Sequence, residues 1–169
     1  MAAAILRRRF EHRDVTASVT SAGFREPDRP ASDGVVRALA TRGLDAADHR
    51  SRRIEADLVR EADLVIAMER AHVREIVLLD PGAWSRTFTI KELARRGRAV
   101  GPRQKTESLR GWLARIGVGR RREDLLGSSP DDDVRDPMGG ALEDYEATAD
   151  QLDALLGELV ELAWPSRVT

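Results

Sequence analysis

The chain has 169 residues, enough for one domain with a sizeable core. It is 41% hydrophobic and 34% charged with a formal net charge of -1, the composition of a soluble globular protein, and no field of one sign argues for nucleic acid or an anionic membrane. Cysteine is absent, which excludes disulfides, thiolate metal sites and a cysteine nucleophile within this polypeptide.

Of the 28 basic residues only Lys91 and Lys105 are lysine, leaving 26 arginines; with the many alanines this suggests a high-GC coding bias rather than phosphate binding. The first residues, Met1 to Arg9, place their charges after a short apolar run, the reverse of a secretory leader. No stretch approaches the length of a membrane span, so a cytoplasmic location is expected.

In chain order, Ala2 to about His12 are good helix formers without a preceding cap residue. Val15 to Ser21 alternates and is rich in β-branched residues, which predicts a strand ending at Ala22-Gly23. A loop containing Pro27 and Asp28 leads to a helix from about Ala31 to Arg42, with Val35, Val36, Leu39 and Ala40 on one face and Gly43 placed to close it. Asp45 to Arg53 reads as a loop and Ile54 to Arg60 as a short helix. The apolar run Ala62 to Met68 reads as a buried parallel strand.

Glu69 to Leu79 is helical, and Pro81-Gly82 stops it. Thr87 to Ile90 forms a short strand feeding a helix from Lys91 to Arg96, and Glu107 to Ile116 is helical. Gly117 to Asp133 is rich in glycine, arginine and aspartate and reads as a mobile surface loop, with Asp131, Asp132 and Asp133 as solvated charge. The final helix is the clearest element, with Leu142, Tyr145, Ala149, Leu152, Leu155, Leu156, Leu159 and Leu162 at helical spacing and Pro165 ending it. Strands alternating with helices imply an α/β three-layer fold, a parallel sheet covered by helices, whose sites lie beyond the carboxyl ends of the strands.

Asp136-Pro137-Met138-Gly139-Gly140 carries the chemistry. Proline holds the preceding aspartate in extended backbone and the glycines let the chain bend before the last helix. A carboxyl group fixed in this way suits a general acid, although Asp-Pro also enters ordinary turns. Ser21 ends the first expected strand, and His49 sits among arginines in Asp48 to Arg53. Neither pattern specifies a site alone. The three histidines and the carboxylates show no metal-ligand spacing, so no cofactor or metal is expected.

Taken together and in order, Ala2 to Phe10, Val19 to Gly23, Gly43 to Asp45 with His49-Arg50-Ser51-Arg52, Ala62 to Met68, and Val134 to Pro137 resemble the low-molecular-weight protein tyrosine phosphatases and the arsenate reductases that share their fold. The resemblance covers nearly the whole chain as a single domain, 1–169, apart from a variable segment at 97–133. It implies a four-stranded parallel sheet flanked by helices. It also implies hydrolysis of a phosphotyrosine protein or small aryl phosphate through a cysteinyl-phosphate.

In that family a loop of the form Cys-x5-Arg-Ser/Thr joins the first strand to the first helix. Loop amides and the helix terminus hold the phosphate and lower the thiol pKa. Here Met1 corresponds to the residue just past that loop, so the central first strand, nucleophile and phosphate-gripping arginine are missing. Asp136 matches the general acid, and Ser21 and His49 match polar residues that brace the nucleophile loop. Because Asp136, His49 and Ser21 survive together, the missing loop is read as a gene start assigned too late, at a position where a GTG codon encodes valine in a longer product; the alternative is a pseudophosphatase kept as a phospho-ligand or protein-binding module. The chain as given is expected to be inactive and to self-associate through unpaired strand edges. Met138-Gly139-Gly140 stands where better-known members carry aromatic residues that flank the substrate ring.

Overall fold

A computed structural model describes residues 1–165 and resolves the chain into two compact units. The first comprises residues 1–54 and 135–157, the second residues 55–134 and, of the described residues, 158–165.

In the first unit, α1 (Ala2–His12) buries Ile5, Leu6 and Phe10, and α2 (Asp33–Ala40) buries Ala38 and Leu39. Both are shorter than or equal to the lengths their patterns predict, and α1 has no side-chain cap, as its sequence implies. The first part of the last helix, which runs from Leu142 to Ala163 and crosses the boundary between the units, adds buried Tyr145, Ala149, Leu152 and Leu156. Arg9 grips Asp153 on that helix with Nε at 3.1 Å and Nη2 at 2.7 Å. Arg42 reaches Asp150 and the Glu146 carbonyl. Gly34 lies against the Tyr145 ring: an added Cβ would sit 2.6 Å from Tyr145 Cε2. Gly34→Ala should therefore cost about 1–3 kcal/mol by overpacking, and an unchanged urea midpoint would contradict that contact.

The strand expected at Val15–Ser21 does not form. The segment has no regular secondary structure and joins no ladder among the described residues; its one neighbouring link is an isolated bridge between Gly23 and Arg53. A β-rich pattern becomes a strand only when another chain segment accepts and donates along its edge. Here the Val19 carbonyl is instead taken by Arg7, whose Nε and Nη2 donate to it at 3.0 and 2.8 Å.

The second unit holds the sheet. Strands β1 (Val65–Ala67) and β2 (Thr87–Thr89) pair in parallel, with Ile66 opposite Phe88. Among the described residues this sheet has two strands rather than the four that the family resemblance implies. Parallel strands need a crossover, supplied by α3 (Arg70–Leu79) and the 3-10 turn Pro81–Arg86. After β2 come α4 (Ile90–Val100) and α5 (Leu109–Ile116), while the short helix Ala56–Glu61 precedes β1.

Helix α4 starts sharply because Thr89 Oγ1 accepts from the Glu92 N–H at 3.1 Å, and Gly101, at φ +84°, ends it. It runs past the Lys91–Arg96 expected, starting at Ile90 and continuing to Val100 before Gly101 ends it. Phe88, Ile90, Leu93, Trp112 and Leu113 form the buried floor of this unit. The α/β fold, a parallel sheet flanked by helices, is thus present in reduced form.

The segment Gly117–Asp133 is not a free loop of solvated charge. The Arg120 side chain is 2% exposed, forks onto Glu92 at 2.7 and 3.0 Å, donates to the Trp84 and Thr87 carbonyls, and lies about 4 Å from the Trp84 and Phe88 ring centres. Asp132 is buried between Arg70 and Arg95, and Asp133 accepts from the Arg70 N–H that opens α3. Burying a carboxylate is costly unless charge and hydrogen bonds compensate, and these arginines provide both.

Candidate functional site

Asp136, Ser21 and His49 all belong to the first unit and are all exposed. Pro137 confines Asp136 to extended backbone. Asp136 Oδ1 then accepts from the Met138 N–H at 3.0 Å, closing a small turn on itself. The turn is secured at its far end: the Gly140 N–H donates to the Pro137 carbonyl at 2.9 Å, the Gly139 N–H to Tyr145 Oη at 3.3 Å, and the Ala141 N–H to Asp144 at 3.1 Å. Gly139 has φ +80°, a backbone conformation that side chains disfavour. The carboxyl group is accordingly held on a loop fastened to the start of the last helix. Met138, 59% exposed, is the large side chain beside it.

Ser21 stands two residues before Gly23, whose N–H and carbonyl bond to Arg52 and Ile54. His49 lies on the segment that pairs back onto residues 26–30: Ser51 exchanges backbone bonds with Arg29 and Asp28, and its hydroxyl donates to the Glu26 carbonyl at 3.0 Å. Partial desolvation, followed by the positive charges of the amino end, Arg7 and Arg50, holds the His49 imidazole below the usual histidine value. The neutral ring is therefore favoured near neutral pH. An NMR titration should place its midpoint below about 6.5, and Arg7→Gln should raise it; an unmoved midpoint would remove Arg7 from its surroundings.

No hydrogen bond or ion pair among the described residues joins Asp136, Ser21 and His49 to one another. What the fold does link is Arg7 on α1, the Val19 carbonyl and the His49 ring. Sequence reasoning assigned Arg7 no role, because its partners lie far along the chain and no local spacing announces them. Among the described residues no group of three or more His, Cys, Asp or Glu side chains could hold a metal ion, and no helix is long and apolar enough to cross a membrane.

A parallel α/β sheet with an Asp-Pro loop before the last helix defines the class to which the comparisons lead. The model of the low molecular weight phosphotyrosine protein phosphatase family matches residues 1–99, more than half of the chain, and the chain belongs to that family. It is 29% identical over 144 residues to a protein-arginine-phosphatase of Geobacillus stearothermophilus, covering 85% of this chain and 74% of that protein. A protein-arginine-phosphatase of Bacillus subtilis (strain 168) is 28% identical over 163 residues, covering 95% and 85%. Among solved structures, a low molecular weight protein tyrosine phosphatase from T. tengcongensis superposes with a TM-score of 0.69 at 29% identity, over 95% of this chain and 87% of that one. The chain itself contains no cysteine.

Proposed function

We propose that this chain carries the general-acid half of a phosphatase site, with Asp136 as proton donor to the leaving atom and Ser21 and His49 as braces for a nucleophile loop. The observation supporting it is Asp136 held on a hydrogen-bonded turn in a chain of this family. A protonated carboxyl at that place can hand its proton to the departing side chain as the bond to phosphorus breaks. With no thiol to receive the phosphoryl group, the polypeptide is expected to turn over neither p-nitrophenyl phosphate nor a phosphopeptide. Turnover that Asp136→Asn abolishes would overturn this reading.

Family membership points to phosphorylated protein side chains or phosphate esters as ligands, and a cytoplasmic setting accords with them. Between phosphotyrosine and phosphoarginine we favour phosphoarginine. Two relatives spanning most of the chain are protein-arginine-phosphatases, and Met138-Gly139-Gly140 offers no ring to flank an aryl group. Fusing a strand and a Cys-x5-Arg-Ser loop ahead of Met1 supplies the nucleophile. That version should cleave a phosphoarginine peptide in preference to a phosphotyrosine peptide, and Asp136→Asn should slow it roughly 10²- to 10⁴-fold. Faster cleavage of phosphotyrosine would reverse the assignment.

A further inference from the structure

The second unit contains a cavity of about 300 Å³ faced by five arginines, Arg70, Arg95, Arg96, Arg120 and Arg121. Three carboxylates, Glu92, Asp124 and Asp132, share its wall, so positive charge exceeds negative by two. Every carboxylate is already engaged. Glu92 is held by Arg120 and Arg96, Asp132 by Arg70 and Arg95, and Asp124 by Arg121.

The arginines are less fully used. Arg95 spends one terminal nitrogen on Asp132, and Arg121 spends one on Asp124; their other N–H groups meet no protein acceptor among the described residues. These two side chains are 51% and 71% exposed, so solvent and solutes reach them. The other charged side chains of the wall are buried by comparison, with those of Arg120, Glu92 and Asp132 at 2%, 8% and 6% exposure.

We propose that this cavity binds a phosphate dianion. A guanidinium fork matches pairs of phosphate oxygens, and an excess of two positive charges matches the two negative charges of the ligand. The wall carboxylates do not oppose it, because their charge is already compensated by arginines. The volume is at the small end of ligand cavities and suits a phosphate group with little attached. The segment 97–133 supplies Arg120, Arg121, Asp124 and Asp132, and thereby acquires a role separate from that of Asp136.

Two sources present the same chemistry: free inorganic phosphate and the phosphate of a modified side chain. Isothermal titration of the full chain with inorganic phosphate and with O-phosphoserine separates them, with nitrate as a planar monoanion control. Saturable phosphate binding is expected, weakened at least about tenfold in Arg95→Gln/Arg121→Gln and unchanged in Asp136→Asn. Tighter binding of phosphoserine would identify a side-chain source and tighter binding of the free ion the other. Arg121→Gln alone, at a largely exposed residue, keeps the test available if the double variant does not fold. Absence of saturation by about 10 mM, equal affinity for nitrate, no loss in the arginine variants, or loss in Asp136→Asn would each overturn the proposal. The last result would assign the binding to the aspartate loop, whereas failure of the Asp136 reading leaves this site untouched.

Discussion

Arg120→Ala is expected to lower stability by about 3–5 kcal/mol, the usual cost of removing one member of a buried ion pair. The side chain is nearly inaccessible and makes three kinds of contact at once. It forks onto Glu92, donates to the Trp84 and Thr87 carbonyls at 2.9 Å, and stacks between the Trp84 and Phe88 rings. Removing it leaves Glu92, 8% exposed, facing Arg96 alone, and strips two carbonyls of their donor. For a chain of this size the melting temperature should fall by roughly 10 °C.

Lysine at this position retains a charge but neither forks nor stacks as a plane, so Arg120→Lys should recover only part of the loss. In a double-mutant cycle, Arg120→Ala combined with Glu92→Leu should cost less than the two single changes summed, because no unpaired carboxylate is left behind. A single variant melting within about 2 °C of the parent would show that the pair and its aromatic clamp contribute little.

The second large effect is at Asp132. Burial alone would raise its pKa, but hydrogen bonds from Arg70 and Arg95, reinforced by their charges, outweigh this and hold the carboxyl below the ordinary aspartate range. The sign of the pH dependence follows. A carboxyl whose folded-state value is depressed binds fewer protons folded than unfolded as the pH falls, so its contribution is complete above the unfolded value of about 3.9 and is lost below it. Asp132→Asn should cost about 2–3 kcal/mol at pH 7, since Arg70, with its side chain 19% exposed, loses its charged partner. Urea melts at pH 7 and pH 3 should show the difference between parent and variant shrinking at the lower pH. A difference that stays constant would mean the carboxyl is not held as an anion by Arg70 and Arg95.

These two predictions lie in the region that sequence reading placed least well. Gly117–Asp133 has the composition of a solvated loop, and nothing local in Arg120 or Asp132 says otherwise. Their partners are 28, 37 and 62 residues away. Charge pairing at such separations leaves no periodicity, because either partner alone satisfies the pattern of an exposed residue. The case of Val15–Ser21 is the converse. Its alternation was legible, yet a strand is a relation between two segments, and Arg7 occupies the acceptor that a neighbour would use.

The amino-acid sequence by itself determined the alternation of apolar strands with amphipathic helices, the extent of the last helix, the Asp136-Pro137 turn and the absence of any cysteine. These are local or compositional properties: backbone restriction by proline, helical spacing of leucines, and the chemistry available in the residue set. Tertiary structure alone decided that the sheet is two strands wide, that Arg7 lies near His49, and that Arg120 and Asp132 are buried ions. The reason is physical. Hydrogen-bond ladders and buried ion pairs owe their energy to groups brought together from distant positions, and only the folded chain specifies which groups those are.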